Sequence, residues 1–182
     1  METRLEAYKR KDRMLQALTK EGDFRVAILQ GKDLVAEASR RHETNPIGTT
    51  ILGECLMSAA LATSGLKGEE RITFHIDCEG PLQSVTAEAD ATGEVRGYLA
   101  NPEVVTEGDS RKQILQNAIG RGVLHTTRHL KENTTPTTSQ VEIGHGDLVK
   151  DFTEYYALSE QIPTALRLEV FLDNDFTIAH AM

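Results

Sequence analysis

Residues 71–78, RITFHIDC, place Ile72, Phe74, Ile76 and Cys78 at every second position, the period of a strand with one buried face. Gly80-Pro81 then turns the chain, and SVTAEADA, a Thr92-Gly93 turn and EVRGYLAN continue the alternation. Short strands separated by such turns predict an antiparallel meander. Upstream, MLQALTK and FRVAILQ flank EGD, which predicts a hairpin between Met14 and Gln30, with a helix as the alternative for its first half. KDLVAEASRRHET has helical spacing at Leu34, Val35 and Ala38, and Asn45-Pro46 breaks it. A second, more apolar helix is predicted from about Ile47 to Leu66. Its Gly48, Gly53, Ala59, Ala60 and Ala62 are small enough for other elements to pack close.

Pro102 to Arg111 is polar and predicts a loop. GRGVLHTTRHL and TSQVEI predict a strand pair joined by KENTTPTT, which is too poor in apolar residues to pack. GDLVKDFTEYYALSEQ predicts a helix with Leu148, Phe152, Tyr155 and Tyr156 on one stripe and Asp147 capping its start. Pro163 disfavours helix at the preceding residue, so this helix should end near Gln161, with Glu160 and Gln161 over its end. A carboxylate is usually unfavourable there, and local physics gives no reason for Glu160. TALRLEVFLD and FTIAHAM predict closing strands.

A chain of 182 residues is long enough for one domain with a sizeable core. With 39% hydrophobic and 26% charged residues it has the balance of an ordinary soluble protein. The apolar run Ile51 to Leu66 is interrupted by Glu54, Ser58, Thr63 and Ser64 and reads as a buried helix, with no membrane span and no secretory signal, so the expected location is cytoplasmic. A net charge of -8 argues against a nucleic-acid partner, since that binding draws on Lys and Arg at phosphates. The basic KRKDR at residues 9–13 reads as a solvated terminus.

Candidate chemistry is sparse. Cys55 and Cys78 belong to no CxxC or CxC pair and fit buried apolar stripes, so they read as structural thiols with no metal site. GHGD at residues 144–147 lacks the third glycine of a dinucleotide loop and reads as a tight turn before an Asp cap. His125 and His129 sit four apart, but in a strand, without the glutamate and helix of a metalloprotease motif. Ser64 beside Gly65 has no nucleophile elbow around it. Glu69-Glu70 and Asp173 with Asp175 fall in turns and read as solvated charge. No catalytic residue emerges.

Four blocks carry a family resemblance: EGPL at residues 79–82, GEVRGYLANP at 93–102, GRGVL at 120–124 and YYALSEQIPTAL at 155–166. Together they resemble the N-terminal domain of the redox-regulated heat-shock holdase known as the heat-shock protein of thirty-three kilodaltons, over nearly the whole chain. The resemblance implies an α+β fold, a single domain spanning 1–182 of two packed, largely antiparallel sheets with helices against them. It also implies that SEQIP is a helix-to-strand corner without a chemical role. In the family a linker and a small domain follow, where CxC and CxxC thiolates hold zinc; neither cysteine here matches those ligands, so no zinc or other cofactor is expected in this chain.

The expected function is that of an ATP-independent chaperone core that binds unfolded client proteins, under oxidative or heat stress, through exposed apolar surface. That surface is expected on the helices between Lys32 and Leu66 or on uncovered sheet faces, with its residues unknown. A homodimer is expected, because an uncovered apolar face and an apolar last strand invite pairing. The rivals are a scaffold domain without holding activity and, more distantly, an enzyme with a pocket beside His75, His125 or Glu160.

Overall fold

The computed structural model describes residues 12–130 and 135–182. The alternating segments form β3 (Arg71–Cys78), β4 (Ser84–Asp90) and β5 (Val95–Leu99), as their period predicts. They join β6 (Gly122–His129) and β7 (Thr137–Ile143) in one antiparallel sheet of order β5-β4-β3-β6-β7. Two antiparallel ribbons stand apart from it, β1 (Arg13–Leu18) with β2 (Arg25–Gln30), and β8 (Val170–Leu172) with β9 (Ile178–Ala181). The first half of the N-terminal segment is therefore strand, not helix. The α+β class and the antiparallel pairing hold.

Helix α1 (Lys32–His42) is followed by α2 (Pro46–Ala62), which starts on the Asn-Pro pair that ends α1. Asn45 Oδ1 accepts from the Gly48 amide at 2.8 Å and Pro46 occupies the first turn, where a missing N–H is harmless. Asn45 Nδ2 donates to the Val104 carbonyl, which pins the loop after β5 to the same helix start. Helix α2 is long and apolar enough to cross a bilayer by composition, but it is buried on nearly every side. A helix apolar all round is a core helix. Ile51, Leu52, Cys55, Leu56 and Ala59 pack with Ile72, Phe74, Ile76 and Val85 of the large sheet. Met57 and Ala60 pack with Leu29, Val35, Val170 and Ala181, and so with α1 and the ribbons. The order of layers is sheet, α2, then α1 and ribbons.

Small residues make this possible. A Cβ on Gly53 would lie 2.8 Å from Val35 Cγ1 and 2.9 Å from Val170 Cγ2, so α1 and β8 both reach the α2 backbone only because that side chain is absent.

Three elements depart from the pattern. Helix α3 (Arg111–Ile119), capped by Ser110, occupies a stretch for which no element was predicted. Helix α4 (Leu148–Leu158) has its Asp147 cap but stops three residues short of Gln161, which adopts a left-handed φ of 56°. Only Val170–Leu172 of TALRLEVFLD is strand. Lys9, Arg10 and Lys11 of the basic cluster lie outside the described residues, as do 131–134 of the Thr-rich linker. Asp12 is no free charge: its carboxylate accepts from the amides of Asp33 and Leu34 at 3.0 and 2.6 Å, supplying the cap that Gly31 cannot.

Gly53→Val should lower stability by about 1 to 3 kcal/mol, the range for overpacking, because neither Val35 nor Val170 has room to retreat. Chemical denaturation followed by circular dichroism reads this, and an unchanged midpoint would show that α2 does not meet α1 and β8 so closely.

Candidate client-binding surface and polar clusters

Three of the four blocks that carry the family resemblance converge at one corner. The amides of Glu79, Gly80 and Leu82 donate to the carbonyls of Arg121, Ile119 and Ala118, so EGPL lies along the junction of α3 and GRGVL. Asn101 Nδ2 donates to the Pro81 carbonyl at 2.9 Å, bringing in the end of GEVRGYLANP. Backbone hydrogen bonds, not reactive side chains, fill this corner. Its role is architectural.

Glu160 gains a physical account. Its carboxylate accepts the Tyr155 hydroxyl and forms an ion pair with Arg128 at 3.0 Å, both partners being mostly shielded from water. The Tyr155 phenol is pushed up by burial first and by Glu160 second, so it stays a donor. The unfavourable position at the end of α4 is thus offset by a cation that β6 supplies from 32 positions earlier in the chain. SEQIP locks helix to sheet.

The open face of the large sheet is polar. Tyr98, Thr86, His75, His125 and Gln140 align across its five strands. His75 Nε2 and His125 Nε2 lie 3.1 and 3.2 Å from the two oxygens of Asp77, and His75 Nδ1 meets the Thr86 hydroxyl at 2.7 Å. Among the described residues no group of three or more His, Cys, Asp or Glu is arranged to hold a metal. His75 and His125 lie on this face, whereas Arg128, Glu160's partner, alternates with His129 and points to the other. The three residues considered for an enzyme pocket are not brought together.

Neither thiol is activated. Cys55 is wholly buried and its acidity is suppressed by that burial. Cys78 is pushed up to about 12, first by burial and then by Asp77. Reactive thiols need the opposite environment. Asp173, expected as solvated charge, accepts from the amides of Asp175 and Thr177 and organises the β8–β9 turn. Glu70 likewise caps a turn at the Lys67 amide.

Exposed apolar side chains concentrate elsewhere. In the register of β1 with β2, Leu15 faces Ile28 and Ala17 faces Val26. Met14 and Leu29 point the other way, into the core shared with α2. Leu15 is 58% exposed, Ile28 53% and Phe24, at the ribbon tip, 64%. One face of the ribbon is packed down at its Met14 and Leu29 end, while Leu18 at the far end of that face and the whole of the other, apolar face meet solvent. Phe171 and Phe176 add exposed surface on the second ribbon. No large exposed hydrophobic occurs between Lys32 and Leu66, so the helices expected to hold clients do not carry the surface; their apolar positions are consumed by the core.

The family model described as Hsp33 protein matches residues 12–182. The chain belongs to the Hsp33 family. It is 34% identical to the 33 kDa chaperonin of Desulforamulus reducens over 173 residues, covering 93% of this chain and 58% of that protein. It is 39% identical to the 33 kDa chaperonin of Thermotoga maritima over 152 residues, 83% of this chain and 52% of that one. The crystal structure of the Thermotoga maritima 33 kDa chaperonin, titled a heat shock protein 33 homolog, superposes with a TM-score of 0.86 at 35% identity, covering 92% of this chain and 58% of that one. The chain spans a little over half the length of these relatives.

If the Arg128–Glu160 pair locks α4 to the sheet, Glu160→Gln should cost about 1.5 to 3 kcal/mol, the range for a charge-assisted bond left without its partner. Arg128→Met should cost a similar amount, and the double variant clearly less than the sum. Denaturation midpoints at neutral pH decide it; additive losses would mean the two side chains act independently.

Proposed function

We propose that this Hsp33-family chain is a cytosolic, ATP-independent holdase that captures unfolded proteins on the outer face of the β1–β2 ribbon. The observation that carries the reading is the row Leu15, Ala17, Val26 and Ile28, solvent-exposed on a ribbon whose opposite face is anchored in the core. The ribbon also leaves backbone edges on which an extended client segment could pair. Capture needs no chemical step, which agrees with thiols whose acidity is suppressed. Redox switching of the kind the family resemblance implies would have to come from residues other than Cys55, which is buried, and Cys78, which is partly buried and held in the thiol form. The same face and edges suit a second copy, so a homodimer belongs to this proposal.

Light scattering of a heat-unfolding client at equimolar chaperone tests it. The wild-type chain should suppress scattering, and Val26→Thr with Ile28→Thr, which keep strand propensity while removing apolar surface, should at least halve the suppression. Sedimentation of both proteins at micromolar concentration should show a weaker dimer for the variant. No suppression by the wild type, or undiminished suppression by the variant, would reject the ribbon as the holding surface.

A further inference from the structure

Between α2, α3 and the start of α4 lies a pocket of about 330 Å³, within the range of small-ligand sites. Its walls are apolar, formed by Ile51, Leu115, Ile119, Leu148 and Val149. Arg111, Lys112, Gln116 and Asp147 also line it, and the carboxylate of Glu54 enters from α2. No hydrogen bond or ion pair from the described residues reaches it; the one bond at this residue uses its backbone carbonyl, which accepts from Ser58. The neighbouring charges are already engaged. Lys112 Nζ is paired with Asp147 at 3.3 Å, and Arg111 donates to the Val170 carbonyl. Asp147 in turn caps α4. The pocket thus presents a greasy wall and, beside the engaged Arg111, Lys112 and Asp147, one partly buried carboxylate that no described side chain pairs with.

An unpartnered carboxylate in such surroundings is costly. Burial, the largest cause, pushes Glu54 up to about 7, with Arg111 opposing and Asp147 adding to the shift. A ligand that matches both features needs an apolar stem and a cationic end.

We infer that this pocket binds primary aliphatic amines, the alkyl chain against Ile51 and Ile119 and the ammonium on Glu54. Lysine carries the same chemistry in protein-borne form. The site is separate from the ribbon face and does not depend on the holdase reading.

Methyl NMR of the full chain, titrated with hexylammonium, hexanol and hexanoate at pH 8, tests this. Hexylammonium should shift the Ile51 and Ile119 methyls saturably and bind about tenfold or more tighter than hexanol, the factor expected of one charge-assisted bond. Glu54→Gln should keep hexanol binding and lose the preference for the amine. If that variant does not fold, the wild type still decides, because at pH 5 a protonated Glu54 should shrink the preference. Titration with Nα-acetyl-lysine methylamide separates the sources: binding at least as tight as hexylammonium assigns the site to protein lysines, weaker binding to free amines. Equal binding of amine and alcohol, tighter binding of hexanoate, or an amine preference that survives at pH 5 or in Glu54→Gln would overturn the proposal.

Discussion

Helix α2 is apolar and buried on nearly every side, and that dictates the architecture around it. One face would be satisfied by a single sheet; this helix needs cover on two. The five-stranded sheet supplies the first cover and α1 with the two ribbons supplies the second. Each covering element then has one face committed inward and the other left to solvent. For the large sheet the outward face is polar, as half-buried antiparallel sheets commonly are. For the β1–β2 ribbon it is not, and there the fold stops short of sealing its own apolar surface.

Much of this was legible because period and burial are linked. Strict alternation at Ile72, Phe74 and Ile76 announced a strand with one core face, and those side chains are fully buried. The run from Ile47 onward announced a core helix, and its glycines and alanines do admit close neighbours. The ribbon was harder for the same physical reason. MLQAL and RVAIL are apolar at successive positions, so neither face is marked as the inner one; packing of Met14 and Leu29 on α2 decides it. Helix α3 escaped because it is nine residues long and lies between a polar loop and a glycine, where a short periodic signal is weak.

Polar partnerships across long sequence separations were not legible at all. Asp12 caps a helix that begins 20 positions later, and Glu160 pairs with an arginine on a strand two elements upstream. Local rules read the first as part of a solvated charge cluster and the second as an unfavourable choice. In the fold both are tethers, the first tying the start of β1 to α1 and the second tying the end of α4 to β6. The family blocks behave similarly, since EGPL, GRGVL and the end of GEVRGYLANP meet through backbone hydrogen bonds. Such motifs signal shared architecture, and shared architecture by itself does not assign an activity.

The magnitude of the exposed surface sets what kind of binding it can support. A patch of about 500 Å² at about 25 cal/mol per Å² gives roughly 12 kcal/mol gross, while association costs of about 4 to 15 kcal/mol take back most of it. The remainder is weak and carries no directional polar contact to select a partner. Such a face would discriminate poorly among sequences and well between folded and unfolded chains, because only the latter offer continuous apolar segments. On the proposed reading, selectivity for the unfolded state would come from the client's exposure and not from complementarity in the ribbon. A ribbon anchored on one side suits this, being held in place by Met14 and Leu29 while Leu15, Val26 and Ile28 stay available.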